Sequence, residues 1–325
     1  MIVPSYWAEA RTTARVKGRD ITLRRFGWSD SSAADAQAQA QLRVTEAAQR
    51  AASGDTVPRR ERKLAYNGAD GVPIREEVLA RHGEAVITRN AYGARCLNVP
   101  DLLIADVDFE TKPGVRLFVA GALITLALLG YVVAKYSVWP ALLAGLVVIP
   151  VGTTLLASML FRLKRFRRSP ADSARHQIRA VVAKQPGWRL RVYETPAGLR
   201  LIATHARFDP AAPAAQDFFK AIGADPLYAR MCQNQRCFRA RLTAKPWRIG
   251  IAGRLKPSPG VWPINPERLP AREAWVRQYE QQAEAYAACR YVETLGDGAD
   301  DAGLLTLVAL HDGESRALDN QRPMA

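Results

Sequence analysis

Residues 104–110 read Ile-Ala-Asp-Val-Asp-Phe-Glu, which spaces Asp106, Asp108 and Glu110 two apart. Side chains alternate faces along a strand, so an extended chain here puts all three carboxylates on one face. Carboxylates this close repel unless a cation sits among them. Hard ions such as Mg2+ or Mn2+ take one or two such groups and share them with substrate phosphates. The spacing nominates Asp106, Asp108 and Glu110 as ligands of a divalent ion, with strand-ending carboxylates as the plainer alternative. A second set, Cys232 and Cys237 completed by His205 or Cys289, has a four-residue gap, wider than a zinc knuckle. Reduced, partly buried thiols are expected there rather than zinc.

The elements that would position these groups are legible in outline. Ser31 or Ser32 can cap a helix over 33–52, with Gly54 as its stop. A short strand precedes it at 20–26. Pro73 predicts the start of a helix of about ten residues, the position where its missing N–H costs least. Strands follow at 85–88, 94–99 and 102–109. Further on, a helix is expected over 170–184, then strands over 188–193 and 199–204 joined by the turn Thr195-Pro-Ala-Gly198. Short helices at 216–222 and 226–232, alternating segments at 238–243 and 246–251, a proline-rich connection at 256–270 and an amphipathic helix over 272–289 complete the reading.

Two apolar runs interrupt this pattern. Residues 117–134 and 138–161 carry no charge, and only Lys135, Tyr136 and Ser137 separate them. A bilayer core needs about 20 apolar residues per helix, so a tight two-pass hairpin is expected. Gly121, Ala122, Gly130, Ala141 and Gly145 would let the helices approach, and Pro150 would kink the second, with Thr153 and Thr154 at hand for the freed backbone. Lys112 and Arg116 precede the first run, and Arg162, Lys164, Arg165, Arg167 and Arg168 follow the second. Basic flanks stay inside, so both ends are expected in the cytoplasm of a bacterial inner membrane. The cluster at 162–168 also suits contact with anionic membrane lipids. Residues 1–13 hold Glu9 and Arg11 and no apolar run, so no secretory leader is expected, and four sparse cysteines predict a reducing compartment.

Charge is uneven. Residues 175–256 hold 16 basic and 4 acidic residues, whereas 257–325 hold 6 basic and 11 acidic, within a net +15. Arg189, Arg191, Arg200 and Arg207, then Arg236, Arg239, Arg241, Lys245 and Arg248, alternate with Trp188, Tyr193, Phe208, Phe238 and Trp247. That mixture suits phosphate contacts with base stacking, an anionic leaflet, or a solvated surface.

Ile104-Ala-Asp106-Val-Asp108, its lead-in Val86-Ile-Thr-Arg-Asn-Ala-Tyr-Gly93, and Val192-Tyr-Glu-Thr195-Pro-Ala-Gly198-Leu-Arg200 together resemble the core of archaeo-eukaryotic-type primases and primase-polymerases. The resemblance implies an acidic metal motif at Asp106 and Asp108 and a nucleotide-binding strand-turn-strand. Arg200 stands where the family has a histidine, His205 lies five residues on, and Arg239 and Arg241 occupy the strand where a third acidic motif would fall. The resemblance therefore implies a degenerate, nucleotide-binding version with Arg200, His205, Arg239 and Arg241 at the ligand. The chain as a whole is also similar to bacterial transmembrane proteins, a likeness that implies no activity.

The expected architecture is α+β. Residues 1–111 and 169–290 would form a cytoplasmic domain, 112–168 the membrane hairpin, and 291–325 a partly disordered extension. Its expected work is binding nucleotide or nucleic acid with a divalent ion. The alternative is a non-enzymatic membrane scaffold whose basic face meets anionic lipid or a partner protein.

Overall fold

The computed structural model describes every residue except 1–2, 17, 62–71, 110–112, 136–137, 168, 256–261 and 263, and no side chains at 138–147, 165 and 167. The fold is mixed α+β, in two compact units: 1–107 with 182–196 and 200–325, and 108–181 with 197–199.

In the first unit, β1 (Tyr6–Val16) and β2 (Arg19–Ser29) make an antiparallel hairpin, closed by Gly18 at φ 75°. Sequence reading found β2 and missed β1, whose solvent-facing half carries too little apolar pattern to register. Helix α1 (Ala33–Ala52) lies on this hairpin, and Ser32 Oγ accepts from the Asp35 amide at 3.0 Å as its N-cap. Gly27 permits the contact. A Cβ there would overlap Ala36 O and the Ala40 backbone, so glycine facing alanines brings helix and strand together over Leu23, Val44 and Ala47.

Two four-stranded sheets follow, and each draws strands from both sides of the interrupting helices. One runs β3 (Glu77–His82), β4 (Ala85–Arg89), β5 (Arg95–Val99), β9 (Phe238–Arg241), antiparallel throughout. The helix expected after Pro73 is replaced by β3. Every residue of β4 is buried, and its backbone needs a hydrogen-bonded neighbour on that side, which overrides the local helical preference. The other sheet runs β10 (Arg290–Leu295), β7 (Leu190–Thr195), β8 (Gly198–Ala203), β6 (Ile104–Asp108). Ala203 N donates to Leu103 O and Phe109 N to Ala197 O, which makes β8 antiparallel to β6 and sets Arg200 opposite Asp106.

Helices α5 (Pro213–Ile222), α6 (Pro226–Gln235), α7 (Leu269–Ala283) and α8 (Ala302–Ser315) complete this unit. Pro246–Arg248 is a turn of 3-10 helix rather than a strand, and most of the 256–263 connection lies outside the described residues. The extension expected to be partly disordered is built in. Residues 290–295 add a strand, Asp301 caps α8 through the Gly303 and Leu304 amides, and the buried Ala325 donates from N to Ala287 O at 3.1 Å.

The second unit holds α2 (Val115–Lys135), α3 (Val138–Arg167) and α4 (Pro170–Val182). A connection of two residues makes α2 and α3 antiparallel neighbours. Gly121 faces the α3 backbone at Thr153 and Ala157, and Gly152 faces Thr125, whose Oγ1 donates to Gly121 O at 2.8 Å. Of the expected small residues Gly121 makes this approach and Gly130 faces open space; Ala141 and Gly145 lie in the stretch 138–147, whose packing is outside the described set. Thr154 Oγ1 donates to Pro150 O at 2.7 Å, while Thr153 Oγ1 is buried without a partner among the described residues. Two spans were expected. Among the described residues α2 alone, 21 residues with a mean hydropathy of 2.4 over its best window, is long and apolar enough to cross a membrane. Much of the second run falls on side chains outside the described set.

Replacing Gly27 with alanine should cost toward the upper end of the ~1–3 kcal/mol typical of overpacking, because the obstacle is backbone and cannot rotate away. Thermal denaturation followed by tryptophan fluorescence would report it. An unchanged melt would place α1 elsewhere.

Candidate functional site

The candidate site is a rung of side chains across the β10-β7-β8-β6 sheet. Tyr291 pairs in register with Tyr193, the Thr195–Gly198 turn carries the chain back so that Arg200 follows Tyr193, and Asp106 follows Arg200. Arg200 is 2% exposed and bonds Asp106 with both arms, Nε to Oδ1 at 2.9 Å and Nη2 to Oδ2 at 3.2 Å. Its Nη1 donates to Arg241 O at 2.8 Å and lies 3.3 Å from His311 Nε2. Burial works against the guanidinium charge, but the Asp106 charge and hydrogen bonds outweigh it, and Arg200 is held well above its ordinary pKa. On the other side of β6, Tyr228 Oη donates to Ile104 O at 2.7 Å and ties α6 to the strand.

Helix α8 continues the rung. A guanidinium can only donate, so Arg200 Nη1 requires His311 Nε2 to accept, and the Nδ1 proton goes to Asp312 Oδ1 at 3.0 Å. Asp312 Oδ2 receives Arg191 Nη2 at 2.8 Å, and Arg191 Nε meets Tyr193 Oη at 2.7 Å. Cys289 Sγ lies 3.9 Å from His311 Nε2. Thiol, imidazole and carboxylate thus stand in the order a cysteine nucleophile uses. All three are buried, and the imidazole face a thiol would use is shared with Arg200, so the set locks α8 to the sheet and offers no surface to a substrate.

The nominated residues separate on this frame. Asp106 is one-third exposed and fully engaged by Arg200, so while the pair holds, Arg200 fills the place a divalent ion would take. Asp108 is exposed at the strand end, and Glu110 lies outside the described residues. Arg239 is mostly covered and pairs with Glu76, Nη2 to Oε2 at 2.6 Å, in a cluster closed by Thr88 and Asn98. Arg241 donates to Thr243 O at 2.6 Å. His205 stands apart from both, its ring 4.6 Å from Trp188 and 5.5 Å from Phe208, its Nδ1 3.3 Å from Arg189 O. Cys237 N bonds Cys232 O, burial lifts the Cys237 thiol to about 12, and His205 and Cys289 keep other company. Among the described residues no three His, Cys, Asp or Glu side chains gather as metal ligands. Of the membrane-flank cluster, Arg162 and Lys164 are exposed, and Arg165, Arg167 and Arg168 fall outside the described side chains.

Part of the basic block is ion-paired. Arg189 pairs with Asp300, Arg191 with Asp312, Arg207 with Asp101, and Arg236 with Asp209. His311 and Asp312 escaped sequence reading. The usable signal was Asp301 as a cap ahead of Leu304, Leu305 and Val308 at helical spacing.

Burial lowers the His205 pKa from 6.5, with the Arg189 carbonyl opposing only in part. Between that lowered value and about 6.5 the unfolded chain binds more protons, so stability falls as pH drops through this window and levels off below it. Wild type should therefore lose more melting temperature than His205→Phe between about pH 7.5 and 5. Equal losses would mean His205 is not held neutral by its stack.

Compared with known proteins, the chain matches no family model, no curated protein and no solved structure.

Proposed function

We propose that this chain is a two-pass protein of a bacterial inner membrane, held by α2 and α3 with both soluble flanks in the cytoplasm. Its α+β unit serves there as a non-enzymatic scaffold. The carrying observation is the α2–α3 surface. Leu123, Leu126, Leu128, Leu155 and Met159 are each 49–65% exposed on helices joined by glycine contacts. Soluble proteins rarely leave an apolar patch of that extent to water. Lipid tails remove the cost, and close glycine approach is how helices associate where no hydrophobic force drives them together.

Anionic headgroups are the proposed partner of the flank at 162–168, each cation there contributing about 1 kcal/mol near a charged leaflet. The paired arginines of 175–256 leave that flank as the main electrostatic contact. Nucleotide binding with a divalent ion at Asp106 and Asp108 ranks second, because a metal would first have to displace a buried bidentate arginine.

Cysteine labelling in intact cells tests the arrangement. All four native cysteines are buried, so background labelling should be low. A membrane-impermeant maleimide should reach Ser137→Cys from outside, and Ser5→Cys and Asn320→Cys only after permeabilisation. Outside labelling at residue 5 or 320, or release of the chain by alkaline carbonate, would refute it.

A further inference from the structure

An open pocket of about 590 Å³ lies between α8, strand β7 and the segment after α8, wholly within the first unit. That volume is within the range of small-molecule sites, roughly 300–1,000 Å³. Its charges nearly cancel. Arg191 is matched by Asp312 at 2.8 Å, and Arg322 by Asp319 at 2.7 Å. One cation remains. Arg316 lines the wall, and its guanidinium has no ion-pair partner among the described residues.

Arg316 is also unusual in its backbone. It ends α8 with φ at 55°, in the left-handed region that glycine fills best, and its N–H caps the helix by bonding Gly313 O at 3.2 Å. A helix end that needs only a cap would be served better by glycine. The remaining wall is apolar: Leu305, Val308 and Leu318, with Leu318 62% exposed and Leu305 40% exposed. One unmatched positive charge beside an aliphatic wall fits one ligand chemistry.

We propose that this pocket binds a small amphipathic monoanion, a carboxylate carrying a short aliphatic chain, with Arg316 receiving the carboxylate and Leu305, Val308 and Leu318 covering the chain. The proposal does not depend on the membrane reading, since every residue it uses belongs to the α+β unit. Bound ligand would also sit against the Arg191–Asp312 pair, and through Asp312 against the buried His311 and Arg200.

The test is isothermal titration of the full chain in zwitterionic nanodiscs, with heats from empty nanodiscs subtracted. Three probes are compared: octanoate, acetate (charge without a tail) and octyl glucoside (tail without a charge). Octanoate should bind saturably, and tighter than either of the others by about tenfold or more. Arg316→Gly should lose about tenfold or more in octanoate affinity while its melting temperature stays level or rises, because glycine relieves the backbone. Arg316→Gln should lose affinity similarly. Absence of saturable octanoate binding, equal binding of acetate or octyl glucoside, or unchanged octanoate affinity in both variants would overturn the proposal.

Discussion

At the centre of the β10-β7-β8-β6 sheet lies a guanidinium that cannot be left alone. Arg200 is almost wholly out of water, and an ion in that position costs several kcal/mol unless its charge and its N–H groups are met. Asp106 takes two of its five N–H donors, and the Arg241 carbonyl and His311 take two more. The pair is a better source of specificity than of raw stability. A slip of one residue between β8 and β6 would turn Arg200 to the opposite face and strand its charge, so the pair selects one register among those the apolar residues would tolerate. Because His311 answers to the same guanidinium, the placement of α8 follows from the register of the sheet.

The same device recurs. Arg239 meets Glu76 inside the β3-β4-β5-β9 sheet, and Arg89 and Arg272 share Glu77. Several arginines of 175–256 find acids outside their own segment: Asp101, Asp106, Asp300 and Asp312. Part of the basic middle is thus paired with acids of the tail, Arg189 with Asp300 and Arg191 with Asp312. In these pairs the arginine charge is spent on closing the fold.

Local signals carried over into the structure where local chemistry decides the outcome. Ser32 and a run of helix formers produced α1, and alternation around Thr195-Pro-Ala-Gly198 produced the β7–β8 hairpin. They failed where a distant partner decides. The segment after Pro73 has helical composition but becomes β3 because β4 needs a neighbour. The acidic strand showed three carboxylates in a row, and nothing near it in sequence revealed that Arg200, 94 residues on, would stand opposite Asp106. Arg200 was visible as a departure from the primase pattern, yet its partner could be found only from the hydrogen bonds that set β8 against β6. The tail looked frayed because α8 ends in His-Asp-Gly-Glu-Ser, polar residues whose partners lie on β5, β7, β8 and the chain before β10.

The most direct measurement is a double-mutant cycle on Arg200 and Asp106, using Arg200→Met, Asp106→Asn and the pair together, read by denaturation of the full chain. If the pair fixes the sheet, Asp106→Asn alone should cost about 3 kcal/mol, the low end for a broken buried pair because Asp106 is one-third exposed. The double variant should be less damaged than the sum of the singles by about 2 kcal/mol, the size of coupling expected between residues in contact. Losses that add within about 0.5 kcal/mol would contradict the account, because they would mean Arg200 and Asp106 act independently.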